Sequence, residues 1–245
     1  MIRLRLMRAD WLKTRRTPVR WAVIAMPAGY ALLILWYFSR FRVTPELPLK
    51  IYSAFFEGWS VFLPLASGLL TGLLSLQEEQ AGRFGALLGS AVPRSVLYAA
   101  QLLLLIVITA GSVLVSLAIL VLGMQAGLGI DAMNPWMFWE GAWLAMGGAL
   151  PQVALHLWLS LTFGLGASVG VGGAGLLMAA IIGATGVGDP IWPAVPWAWP
   201  VRLALHPLVP AAPAEALLPA FLSFAVLAVL GTEWFHRWEG PGHDS

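Results

Sequence analysis

Few side chains in this sequence could do chemistry, and their spacing matches no complete catalytic or metal-binding set. The 245 residues include 12 Asp and Glu, four His and no Cys. The absence of cysteine excludes disulfides, thiolate metal sites and cysteine nucleophiles. His156 alone among the histidines lies inside an apolar stretch, where an ionisable group is a functional candidate, but we favour a hydrogen bond to a neighbouring helix. No series of acids crosses the apolar stretches, which argues against a proton- or sodium-coupled pathway.

An acidic pair precedes an arginine in the run Glu78-Glu79-Gln80-Ala81-Gly82-Arg83. This Glu-Glu-x-x-x-Arg pattern occurs in an intramembrane protease family, which also needs a Phe-x-x-x-His motif. The residues four positions before the later histidines are Gln152, Arg202 and Thr232, so that motif is missing. No Gly-Lys-Ser/Thr follows any glycine, so a phosphate-binding loop is missing as well. The sequence therefore predicts no catalytic residue, no metal site and no cofactor.

The composition of the chain indicates that its secondary-structure elements lie in a lipid bilayer. Hydrophobic residues make up 59% of the chain, charged residues only 11%, and the mean hydropathy is +0.81. A soluble domain is roughly half apolar and a quarter charged, so this chain has too little charge to keep its surface dissolved in water. We predict an all-α integral membrane protein in which residues 1–245 form a single transmembrane domain.

About six stretches have the length of a membrane-spanning helix, roughly 20 residues. They are residues 21–38, 58–76, 97–122, 139–163, 165–187 and 216–234. The fourth and fifth stretches nearly touch, around residues 163–166. Seven of the 14 Lys and Arg lie in residues 1–20. With an even number of spans, the positive-inside rule places both termini and the loop 77–96 in the cytoplasm.

The two segments outside the regular spans have distinct compositions. Residues 1–20 fit either an amphipathic helix lying in the membrane interface or a plain basic flank that orients the first span. A nucleic-acid partner is disfavoured because this basic cluster directly abuts an apolar span. Residues 188–215 hold seven of the 17 prolines and three tryptophans. They predict a short capping structure at the outer surface, with an extended linker as the alternative.

Two pairs of glycines are spaced for close helix packing. Gly68 and Gly72 form one small-xxx-small pair, and Gly166 and Gly170 form the other. In lipid such pairs let two helix backbones approach each other. They predict packing within the chain or, alternatively, contact with a second membrane subunit.

The loop 77–96 carries the most specific pattern in the chain. It begins with acids, continues as a short amphipathic stretch and turns at residues 90–93 before the next span. The residues of the pattern are Glu79, Gly82, Phe84, Leu87, Leu88, Ser90, Pro93 and Arg94. In this order they resemble the first cytoplasmic loop of the membrane subunits of type-2 ATP-binding-cassette exporters. Arg83 replaces a threonine or asparagine of the family pattern, and the proline is slightly shifted.

The resemblance implies a permease subunit in the bacterial inner membrane that exports an amphipathic substrate. The chain length, the proline- and tryptophan-rich outer segment and the tail Trp-Phe-His-Arg-Trp are similar to those of lantibiotic-immunity permeases, so an antimicrobial peptide is the implied substrate. The implied partners are a separate cytoplasmic ATPase and a second permease subunit, identical or related. A short coupling helix in the loop would dock on the ATPase through Glu78, Glu79, Gly82, Arg83, Phe84, Leu87, Leu88, Pro93 and Arg94. Of these, Phe84, Leu87 and Leu88 would enter an apolar groove.

Three alternatives remain open on the sequence alone. The loop 77–96 could be an ordinary surface loop with two positive-inside arginines. The chain could be a membrane scaffold, which predicts that it binds a partner without affecting transport. A secondary transporter would favour buried acids or inverted repeats, and the sequence shows neither.

Overall fold

The structure is a computed structural model that describes residues 18–82, 84, 85, 89, 91–130, 135–208 and 213–240. Over these residues the chain is helical and contains no strand. The α-helices are α1 (Pro18–Phe38), α2 (Leu47–Gln80), α3 (Arg94–Leu128), α4 (Pro135–Met178), α5 (Trp199–Ala204) and α6 (Pro213–Arg237). The predicted interfacial helix at the N-terminus falls mostly in residues 1–17, which lie outside the described residues.

Helix α4 consists of two arms that run in opposite directions. Gly164 has φ 79° and ψ −174°, a conformation that interrupts the helix and that glycine adopts far more readily than other residues. A straight helix would separate His156 and Ser168 by about 18 Å. Their side chains instead meet, with His156 Nδ1 3.1 Å from Ser168 Oγ. The chain therefore reverses at Gly164, and the fourth and fifth predicted spans are two separate helical arms.

The described helices match an integral membrane protein. Four of them are long and apolar enough to cross a membrane, namely Leu47–Gln80, Arg94–Leu128, Trp136–Gly183 and Ala216–Arg237. A shorter apolar helix, Val23–Phe38, precedes them within the described part of the chain. Because the third of the four contains the reversal at Gly164, six apolar helical segments stand where six spans were predicted. The all-α membrane fold is thus confirmed.

Helices α2 and α3 are longer than the apolar stretches predicted for them. The sequence placed the second span at residues 58–76, whereas α2 begins at Leu47. The extra turns carry Ile51, Tyr52 and Phe55, whose side chains are fully buried in a core cluster that also includes residues of α1, α3 and α4. Lys50 and Glu57 concealed this extension, because a hydropathy window averages their charge with the aromatic residues between them.

The described residues form a bundle with two distinct ends. The loop end carries the end of α2, the start of α3 and the end of α6, and its core includes Leu97, Tyr98 and Phe235. The cap end carries the start of α2 and the short helices between residues 186 and 208. Helix α1 lies along α2 and α3, since the Tyr30 hydroxyl donates to the Phe55 carbonyl at 2.9 Å and the Ser116 hydroxyl donates to the Pro27 carbonyl at 2.9 Å.

Glycines allow α2 to pack closely on the second arm of α4. A Cβ at Gly68 would lie 2.5 Å from the Ser168 carbonyl oxygen, and one at Gly72 would lie 2.5 Å from Leu165 Cδ1. The pair in α2 therefore packs within the chain, which was the first of the two alternatives that the sequence predicted. The other pair differs, because a Cβ at Gly166 or Gly170 would meet no described atom within 4 Å. For that pair, contact with a second membrane subunit stays a prediction.

Residues 188–208 of the proline-rich segment form a compact cap rather than an extended linker. Short turns of 3-10 helix at Gly186–Gly188, Trp192–Ala194 and Pro196–Ala198 lead into α5. The indole rings of Trp192 and Trp199 are buried, and the Trp199 Nε1 donates to the Pro193 carbonyl at 2.9 Å. Proline restricts this stretch to short turns, so the carbonyl groups need partners from outside the helices.

The Tyr52 hydroxyl links α2 to this cap. It donates a 2.6 Å hydrogen bond to the Ala204 carbonyl at the end of α5, and the side chain is fully buried. We expect Tyr52→Phe to lower the free energy of unfolding by about 1 kcal/mol, because the carbonyl loses its donor inside the protein. Thermal unfolding in detergent measures the loss. Tyr37→Phe is the matched control, since the Tyr37 side chain is half exposed, and an equal loss in both variants would contradict the expectation.

Candidate coupling surface

The acidic residues of the predicted docking loop lie on the last turn of α2. Glu78 is partly buried and Glu79 is exposed. Helix α2 ends at Gln80, and Gly82 follows with φ 139°, a backbone conformation that favours glycine. The glycine of the pattern thus has a local structural reason, because it lets the chain leave the helix sharply. Arg83, Leu87 and Leu88 lie outside the described residues.

Phe84 does not occupy the place that the sequence analysis predicted for it. Its side chain is only 3% exposed, so it is not available to enter a groove on a partner. The ring packs edge-on against Trp238, with 5.1 Å between the ring centroids. Burial against another aromatic ring of the same chain is more favourable in free energy for Phe84 than exposure to water. The sequence analysis noted Trp238 only as the last residue of the tail Trp-Phe-His-Arg-Trp and did not connect it with the loop.

Arg94 also turns toward the end of α6. Its Nη1 donates to the carbonyl of Trp238 and, at 3.4 Å, to the carbonyl of His236. The last carbonyls of a helix lack intrahelical donors, so a cation at this point satisfies them and complements the helix dipole. Pro93 is exposed and stands at the N-cap of α3, where its missing N–H costs nothing. Of the predicted docking residues that the structure describes, Glu79, Gly82 and Pro93 are the exposed ones.

A cluster of polar side chains, Thr71, His156 and Ser168, lies buried between α2 and the two arms of α4. His156 is fully buried, and Ser168 Oγ lies 3.1 Å from both His156 Nδ1 and Thr71 Oγ1. The Thr71 hydroxyl in turn lies 2.8 Å from the Ser67 carbonyl. This is the hydrogen bond between neighbouring helices that the sequence analysis favoured for His156. It orders the reversal of α4 against α2 without any acidic partner among the residues in these bonds.

A cleft connects the loop end with this polar group. Its lining comes from α2, α3 and the first arm of α4, and consists of Thr71, Leu74, Ser75, Gln77, Glu78, Gln101, Leu104, Leu105, Leu157 and Leu161. The polar residues lie mainly on α2, while the leucines come from all three helices. Among the described residues, no group of three or more His, Cys, Asp or Glu could hold a metal ion. The cleft is therefore amphipathic in character.

The helical bundle and its loop end define a polytopic membrane protein with a polar turn between its second and third helices. The sequence profile of the ABC-2 family transporter proteins matches residues 6–183, which is most of the chain. This chain belongs to that family. It is a permease subunit of an ATP-binding-cassette transporter, a generally non-catalytic type of subunit, and the family implies a membrane location and an ATPase partner. No curated protein and no solved structure matches the chain.

Proposed function

We propose that this permease exports an amphipathic substrate and that its loop 77–96 is the docking site of a separate cytoplasmic ATPase. The observation that supports the proposal most directly is the position of this loop. It joins α2 to α3, and Glu79, Gly82 and Pro93 are exposed around it. The polar groups of α2 continue from Glu78 along the cleft toward Thr71. A force applied to the loop therefore acts on α2 and α3, two of the three helical segments that line the cleft.

Charge at the loop suits recognition more than affinity. The exposed carboxylate of Glu79 can select a partner surface and its register, while apolar contacts supply the binding free energy. In this proposal Leu87 and Leu88 supply the apolar contacts, and Phe84 supports the loop from inside. ATP-driven closure of the partner would shift α2 and α3 between two packings.

The substrate that we propose is an antimicrobial peptide of the lantibiotic type, which leaves the membrane laterally. The similarity to lantibiotic-immunity permeases supports this choice. A second permease subunit, identical or related, would complete the pathway. The open face at Gly166 and Gly170 is compatible with close approach of a second helix.

The docking proposal predicts a large loss of partner binding when the loop leucines become acidic. We expect Leu87→Asp with Leu88→Asp to abolish co-purification of the cognate ATP-binding-cassette ATPase, because carboxylates cannot enter an apolar groove. Insertion into the membrane should be unchanged. The matched control is Phe41→Asp with Val43→Asp, which alters two exposed apolar residues in the loop between α1 and α2. Equal co-purification of wild type and the loop variant would refute ATPase docking at this loop.

The side of the membrane can be tested separately, because the chain contains no cysteine. A single cysteine at Glu79 should be protected from a membrane-impermeant maleimide added to intact cells, whereas one at Arg42 should react. This outcome would support cytoplasmic termini in a bacterial inner membrane. Labelling of the Glu79 position from outside would contradict the docking site, since a cytoplasmic ATPase could not reach it.

A further inference from the structure

The end of α6 and the docking loop are joined by contacts from two directions. Phe84 packs on Trp238 from the α2 side. Arg94 donates to the carbonyls of Trp238 and His236 from the α3 side. The indole of Trp238 also lies 5.3 Å from Trp234 and 5.5 Å from Phe235, measured between ring centroids. Trp238 is thus the common partner of both ends of the loop.

Phe84 needs this partner because of its backbone conformation. It has φ 62°, the one positive value among the non-glycine residues that the structure describes. A bulky residue seldom adopts this left-handed region, and surrounding contacts must compensate for the strain. Burial of the ring against Trp238 is one such contact, beside the hydrogen bond from the Phe84 N–H to the Glu78 carbonyl at 3.3 Å. Without Trp238, Phe84 would lose its aromatic neighbour.

We propose that Trp238 is a positioning residue for ATPase docking, which holds Phe84 and Arg94, the two described loop residues that it contacts, in the arrangement that the ATPase binds. This inference rests on the proposed function, since it concerns the same docking site. A preorganised loop loses less conformational freedom on binding, so its partner binds more tightly. The same contacts connect the loop to α6. Movement of the loop would therefore reach a third helix in addition to α2 and α3.

The first test measures binding of the purified cognate ATPase to the permease in nanodiscs. We expect Trp238→Ala to weaken binding about tenfold and Trp238→Phe to retain binding within about twofold, because phenylalanine keeps an aromatic contact with Phe84. Trp143→Ala is the matched control, since it makes the same truncation at a side chain that is 66% exposed. It should bind as the wild type does.

The second test replaces the aromatic contact between Phe84 and Trp238 by a covalent link. Cysteines at Phe84 and Trp238 can be joined by a short bifunctional thiol reagent, because the chain has no other cysteine. We expect the pair to cross-link in membranes and the cross-linked permease to bind the ATPase as well as the wild type does. A cross-linked protein that cannot bind would show that the contact must open for docking and would overturn the proposal.

The outcomes also separate this inference from the function on which it rests. If Trp238→Ala binds normally while Leu87→Asp with Leu88→Asp abolishes binding, the loop docks without help from Trp238 and this inference is wrong. If the leucine variant also binds normally, docking at the loop itself is wrong. Weak binding by Trp238→Ala, rescue by Trp238→Phe and normal binding by Trp143→Ala would support the inference.

Discussion

Gly68→Ala is expected to destabilise the protein although alanine is the better helix former. The new methyl group would lie 2.5 Å from the Ser168 carbonyl oxygen and 3.3 Å from His156 Cε1. Neither neighbour can yield easily, because the carbonyl belongs to helix backbone and the imidazole is fully buried. Helix α2 must therefore move away from the second arm of α4, and overpacking of this kind costs about 1–3 kcal/mol.

The matched variant is Gly170→Ala, which adds the same methyl group where no described atom lies within 4 Å. Replacing glycine by alanine inside a helix is favourable by about 0.5–1 kcal/mol when nothing clashes. We therefore expect the two variants to change stability in opposite directions when the purified single subunit is unfolded thermally in detergent. A destabilised Gly170→Ala would show that this face is not free in the purified subunit.

Arg202→Met is expected to release the cap from the bundle. The Arg202 guanidinium forms a 2.7 Å ion pair with Asp189 Oδ1 and donates to the carbonyls of Ile182 at 3.1 Å and Thr185 at 2.6 Å. These carbonyls lie where the second arm of α4 ends in a turn of π-helix at Ala179–Gly183. Hydrogen bonds to a charged group contribute about 1.5–3 kcal/mol each. Because Arg202 is still partly exposed, we expect a total loss of about 2–4 kcal/mol.

The expected loss can be separated from a general effect of removing a cation. Arg202→Lys should recover only part of the stability, because an ammonium group cannot span three acceptors as the planar guanidinium does. Lys50→Met should be nearly neutral, since the Lys50–Glu46 pair is exposed on both sides. Limited proteolysis should cut Arg202→Met between residues 186 and 208 faster than it cuts Arg202→Lys or Lys50→Met. Equal cleavage rates would contradict a clamping role for Arg202.

Composition and periodicity alone determined that this chain belongs in lipid and is helical. The bilayer leaves no water to satisfy backbone groups, so 20-residue apolar stretches have to form helices. The same reasoning placed the boundary between the fourth and fifth spans at residues 163–166, which include Gly164. It also selected the loop 77–96, since charged residues between two long apolar stretches have to lie outside the bilayer.

The tertiary structure decided which side chains of the loop face inward and which glycines touch another helix. Phe84 matched a docking pattern in the sequence, yet its ring lies against Trp238, more than 150 positions later in the chain. Gly68 and Gly170 have the same chemistry and similar surroundings in sequence, but only Gly68 meets another helix. Contacts between distant segments depend on the relative rotation and approach of helices. Local sequence specifies the apolar helices, whereas the packing of all of them together sets that rotation.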